Sequence, residues 1–161
     1  MNDKPETNPI VEVFRASIGK RLEYAPPFTR WLDGRIVSCN IGEIEVEFTV
    51  RPEMANPTGL LHGGVQAAMI DDIIGMTSAT LGEEGFMLTI DLHVNFLGKV
   101  EVGQTIKARA RFVRSGKRIA HAVCEILDEQ GNLVSRGDSN LLKTTHVPDY
   151  RKRMEDTEGS G

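Results

Sequence analysis

Cysteine is scarce: Cys39 and Cys124 are the 2 thiols in a chain of 161 residues. Each falls inside a strand-like segment, so no disulfide framework is expected, and buried free thiols in a reducing compartment are the simpler expectation. Histidine is sparse as well. The 4 histidines are scattered and, with two cysteines, give no metal-ligand spacing; neither a metal nor another cofactor is expected. Positive charge is in deficit, with Lys+Arg 19 against Asp+Glu 23 and a net charge of -4. That argues against an extended nucleic-acid surface, which needs a basic stripe to neutralise phosphates. No apolar run approaches the roughly 18 residues of a membrane span, and the stretch from Met1 to Pro9 has no apolar core of a secretory signal. A cytoplasmic protein without nucleic-acid or membrane partners is expected.

What remains is an ordinary soluble composition, 40% hydrophobic and 26% charged, in a length that suits one domain with one core. That domain is expected over residues 1–148, with its core at about 10–145; residues 149–161 form a charged tail expected to be disordered. Asn8 is a plausible N-cap, Pro9 suits a first helical position, and Gly19 could end a short helix that places Ile10, Phe14 and Ile18 on one face. The stretch Tyr24-Ala25-Pro26-Pro27-Phe28 is aperiodic and reads as loop. From Arg35 the period becomes two. Ile44, Val46, Phe48 and Val50 alternate with Glu43, Glu45, Glu47 and Thr49, as in a half-buried antiparallel strand, with Ile36 to Cys39 as its hairpin partner.

The longest helical segment runs from about His62 to Leu81 and is apolar around most of its circumference, as expected of an enclosed helix. Four period-two segments follow, roughly Met87–Leu97, Thr105–Arg114, Arg118–Leu127 and Leu133–Thr144. Their links are short, which predicts an antiparallel meander with the first of them in a central position. One sheet packed around one long helix is the economical arrangement.

Chemistry concentrates in Asn56-Pro57-Thr58-Gly59-Leu60-Leu61-His62-Gly63-Gly64, followed by Asp71. Glycine lets a ligand approach the backbone closely, and the first N–H groups of a helix lack partners at the positive end of its dipole. A carbonyl oxygen held at Gly63 and Gly64 would be polarised. The pair is equally the ordinary chemistry of a tight loop-to-helix turn. Asp71 lies mid-helix among apolar residues, where a carboxylate costs several kcal/mol unless paired, hydrated or in a cavity. Its neighbour Asp72 is about 100° round the helix, and both could equally belong to one solvated corner. Between His62 and Asp71 the helix rises about 13 Å and turns about 180°. One substrate could meet both only if a second chain supplied one of them, as in a two-fold dimer with antiparallel helices.

The Asn-x2-Gly-x2-His-Gly-Gly-x6-Asp pattern, its place before a long enclosed helix and the order of elements resemble the PaaI-like branch of hot-dog-fold acyl-CoA thioesterases. The resemblance covers about Ile10 to Thr145. It implies an α+β hot-dog fold, an antiparallel sheet wrapped around one long central helix, in a homo-oligomer: a dimer, or a dimer of dimers. It also implies hydrolysis of acyl-CoA or aryl-CoA thioesters. Asp71 then resembles the catalytic carboxylate, as general base or nucleophile, and Gly63 the residue whose N–H polarises the thioester carbonyl. Asn56 and His62 match residues lining the carbonyl site, and Thr89 falls where the family often has a Ser or Thr that helps hold the attacking water. Gly64 and the basic turn Arg114-Ser115-Gly116-Lys117-Arg118 are candidates for holding coenzyme A, the turn through its phosphates, although an ordinary solvated hairpin tip would look the same. Arg109 and Arg111 could extend that basic surface. A non-catalytic acyl-CoA sensor is the alternative, since fold does not fix function; a hydratase ranks last, because its His and acidic arrangement is not found.

Overall fold

A computed structural model of the chain describes residues 7–149. The expected tail lies outside the described residues, apart from Asp149. Helix α1 (Pro9–Ala16) begins as the sequence predicts: Asn8 Oδ1 accepts the Val11 N–H at 3.1 Å, with Pro9 at the first helical position. Its buried side chain is Val11 rather than Ile18, which lies past the helix end and is exposed. A second helix, α2 (Pro27–Leu32), replaces part of the expected loop. Six residues are too few to display a period, and Pro27 reads as a breaker until it is recognised as a pre-organised first helical residue.

Strands β1 (Arg35–Asn40), β2 (Glu43–Thr49), β3 (Met87–Phe96), β4 (Thr105–Ser115), β5 (Ile119–Leu127) and β6 (Leu133–Lys143) form one antiparallel sheet in the order β1-β2-β4-β5-β6-β3. Between β2 and β3 runs α3 (Gly63–Ala79), which packs against β2, β3, β4, β5 and β6. This is the hot-dog arrangement, one long helix packed against an antiparallel sheet.

The meander expectation fails at β3, which pairs with β6 and forms an edge of the sheet, while β2 takes the place beside β4. The short link after β3 was misleading because reach, not adjacency, is what a link must satisfy. Crossing from β3 to β4 spans three strand spacings, about 14 Å, and the eight or so residues available reach about 25 Å. This link is fastened at both ends, by the Leu97 and Gly98 N–H groups to Val134 O and by the Gly103 N–H to Val50 O.

Small residues on the inner face let α3 approach the sheet closely. One row across the strands reads Ile44, Ala110, Cys124, Gly137 and Val94. Met69, Ile70, Ile73 and Ile74 of α3 are fully buried, as are Ala108, Ala110, Ala122 and Cys124 on the strands. At Gly137 the approach is close: a Cβ there would lie 2.9 Å from Ile70 Cγ2 and 3.0 Å from the His93 carbonyl oxygen. Neither neighbour is the free end of a flexible chain, so Gly137→Ala is expected to destabilise the fold by about 1–3 kcal/mol. Urea denaturation would show a lower midpoint at unchanged slope.

Candidate active site

The loop before α3 is built around Asn56. Its Oδ1 accepts hydrogen bonds from Thr58 N (2.9 Å), Thr58 Oγ1 (2.7 Å) and Leu60 N (3.2 Å). Gly59, at φ 80°, closes the turn in the left-handed region that glycine favours. From there the chain is fixed by Leu61 N to Val100 O (2.8 Å) and His62 N to Met54 O (2.9 Å). Extended backbone at His62 makes it the N-cap, and its Nδ1 accepts the Gly64 N–H at 2.8 Å. In the neutral ring the proton then sits on Nε2, which remains a donor.

The donors of the first turn can be followed one by one. Gly64 gives its N–H to His62 Nδ1, and Val65 and Gln66 give theirs to His62 O. Among the described residues, the Gly63 N–H meets no acceptor. It is the free donor of this first turn, so an oxyanion bound here would be met by Gly63 and not by Gly64. The Phe96 ring covers this glycine, 3.4 Å from where a Cβ would stand.

Eight residues on, about 12 Å along the axis, Asp71 leaves the helix toward the sheet edge. Its Oδ1 accepts the Thr89 hydroxyl at 2.8 Å. Thr89 faces α3 because β3 carries a bulge. Thr89 pairs with Leu141 and Asp91 with Asn140, leaving Ile90 as the extra residue. The bulge also shifts the alternation of faces along this strand. Met87 and Thr89 share the helix side with Leu92, Val94 and Phe96, while Leu88 and Ile90, 50% and 54% exposed, turn outward with Asp91, His93 and Asn95.

The thioesterase superfamily model matches residues 58–135, a span that includes Gly63, Asp71 and Thr89. Human acyl-coenzyme A thioesterase 13 is 27% identical over 121 residues, covering 73% of this chain and 86% of that protein. Among solved structures, a phenylacetic acid degradation-related protein from Ralstonia eutropha JMP134 is 27% identical with a TM-score of 0.70, covering 84% of this chain and 99% of that one. A Streptococcus mutans protein bound to acetyl-CoA shares the fold at 21% identity, with a TM-score of 0.67 over 71% of this chain and 91% of that one. Over these spans the chain is similar to members of the thioesterase superfamily. Its chemistry is that of a thioester hydrolase.

The other residues singled out in this thioesterase are dispersed. Arg114, Ser115, Gly116, Lys117 and Arg118 form the β4–β5 turn, closed by Gly116 N to Ile119 O at 2.9 Å, with the three basic side chains exposed. Arg109 does not extend that surface as a free cation. It is bound to Glu45, which Lys107 also approaches at 3.5 Å. His93 lies opposite Asp138 at 3.5 Å on the outer face, and His121 Nδ1 contacts Asn140 Oδ1 at 3.0 Å. Among the described residues no cluster of His, Cys, Asp or Glu is arranged to hold a metal ion, and no helix is long and apolar enough to cross a membrane.

Asp72 is the group that the sequence did not mark out. It is covered by α2, where Thr29 Oγ1 donates to its Oδ1 at 2.8 Å while its Oδ2 is buried without a partner. Burial pushes its carboxyl up to about 6; the Thr29 hydrogen bond opposes this and the nearby Asp71 charge adds to it. A folded-state value above the unfolded one stabilises the protein most below the unfolded value, near 3.8, and that contribution is lost as pH rises through about 6. Asp72→Asn is therefore expected to raise the unfolding free energy by about 2–3 kcal/mol at pH 8, with the gain vanishing below about pH 4. Thermal unfolding of both proteins across that range would show converging midpoints on the acid side.

Proposed function

We propose that this thioesterase hydrolyses acyl-CoA or aryl-CoA thioesters to the free acid and coenzyme A, at sites shared between two subunits. The observation that carries this is the pair formed by the unspent Gly63 N–H and the Asp71 carboxylate, held about 12 Å apart on one rigid helix. A thioester carbon lies within bonding distance of its own oxygen, so both groups cannot act on one carbonyl from a single chain. An antiparallel second copy of α3 brings the Gly63 of one subunit to the Asp71 of the other. The edge strand β3, with Phe96 and Leu97 exposed at its end, offers unpaired backbone groups along which two copies could join.

In such a site the thioester oxygen accepts from the Gly63 N–H, with the His62 Nε2–H as a second donor nearby in the chain. The Thr89 hydroxyl and Asp71 hold a water. Asp71 takes its proton as the oxygen attacks the carbonyl carbon, and the tetrahedral oxyanion then collapses, breaking the C–S bond and releasing the thiolate. A nucleophilic route also fits: Asp71 attacks directly, expels the thiolate, and water cleaves the resulting anhydride. Asn56 acts by shaping the loop that presents His62 and Gly63. Arg114, Lys117 and Arg118 would meet the phosphates of coenzyme A. The acyl-CoA assignment is supported by the human relative and by the acetyl-CoA bound to the Streptococcus mutans protein. Two buried free thiols suit a cytoplasmic setting.

Asp71→Ala is expected to lower kcat by at least about a hundredfold in a thiol-release assay over a panel of acyl-CoA and aryl-CoA substrates. Tight binding of acyl-CoA without turnover by the unaltered protein would favour a sensor instead. Gly63→Pro isolates the amide, because proline is tolerated at a first helical position and His62 already has the extended backbone that precedes it. A loss of about 10²–10³ in kcat with the fold retained is expected. Mixing the inactive Asp71→Asn and Gly63→Pro chains tests the sharing directly. Random pairing gives half heterodimers with one intact site each, and so about a quarter of the unaltered activity; sites confined to one chain would regain none.

A further inference from the structure

Helix α3 carries two adjacent carboxylates, and the chemistry above uses one of them. Asp72 turns about 100° away from Asp71, into the seam beneath α2. Around it stand Leu22 from the segment before α2, Thr29 from α2, Gly34 ahead of β1, Val46 and Phe48 from β2, and Met76 from its own helix. None of these is charged. Among the described residues, the one charged group acting on Asp72 is Asp71. One oxygen is held by Thr29 and the other is buried without a partner. An amide at this position would accept the Thr29 hydroxyl equally well and would avoid a buried charge, so fastening α2 does not by itself call for an acid here.

We propose that Asp72 is a positioning residue for Asp71: clamped by Thr29 in its uncharged enclosure, it acquires a charge that pushes on the neighbouring carboxylate during catalysis. This rests on Asp71 being the catalytic carboxylate. Repulsion between like charges favours any step that takes negative charge off Asp71, whether a proton arrives or a bond forms to the carbonyl carbon. The enclosure decides when the push is present. Burial holds the Asp72 carboxyl up to about 6, so it is neutral on the acid side of that value and charged above it. Asp72 itself never touches the substrate.

The test is the pH dependence of kcat/KM between about pH 5 and pH 9 for the unaltered protein, Asp72→Asn and Thr29→Val. For the unaltered protein a rise of about threefold is expected through an inflection near pH 6, the size given by partial sensitivity of rate to basicity. Asp72→Asn should fold, keep the lower plateau within about threefold and lose the inflection. Thr29→Val should keep the inflection but move it to higher pH, because the hydrogen bond it removes favours the charged form. An inflection that survives in Asp72→Asn, or stays in place in Thr29→Val, overturns the proposal; simple loosening of α2 would lower the rate alike at every pH and leave the inflection where it was. Asp71→Asn run in parallel separates the two failures. If it hydrolyses substrate at the unaltered rate, the assignment of Asp71 falls. If it is inactive while Asp72→Asn keeps its inflection, only the role given to Asp72 falls.

Discussion

Close packing of α3 onto the small-residue rows of the sheet fixes the position of every group in the proposed site. Ala110, Cys124 and Gly137 leave room for Ile70 and its neighbours to sit nearly against the strand backbone. A helix seated that tightly has one allowed depth and rotation. Its N-terminus then meets Phe96, its middle meets Thr89, and its opposite flank meets α2. Because the helix is rigid, the Gly63 amide and the Asp71 carboxylate stay apart within one chain.

At the helix start, hydrogen bonding selects one donor from several. His62 spends its ring nitrogen on Gly64 and its carbonyl on Val65 and Gln66, which leaves Gly63 with an N–H to offer. The same histidine keeps a second donor on the far side of its ring. Asn56, for its part, spends its side-chain oxygen on three donors of its own loop. Its contribution is to hold the backbone that carries His62 and Gly63.

The two aspartates show how one helical step separates environments. Asp71 faces the open sheet edge and a hydroxyl that stays partly wet. Asp72 faces an apolar seam closed by a short helix. Adjacent carboxylates with unlike surroundings are a common way for a protein to obtain different protonation behaviour from the same side chain. Here the seam is built by α2 together with Leu22, Gly34, Val46 and Phe48, all far from Asp72 in sequence.

The sequence by itself determined the long enclosed helix, its start near His62 and Gly63, the Asn8 cap, the period-two strands and the odd placement of Asp71 in an apolar run. These are local properties, set by side-chain spacing and by the conformational limits of glycine and proline. Tertiary structure alone decided the order of the strands, since a link of given length can reach several partners. It decided which face Thr89 occupies, because the Ile90 bulge leaves no mark in the alternation. It also decided that Asp72 is buried and that Arg109 is bound to Glu45. The choice of Gly63 over Gly64 is local, set by how the His62 ring is turned; the others depend on which residues from distant segments arrive beside one another, and spacing along the chain carries no record of that.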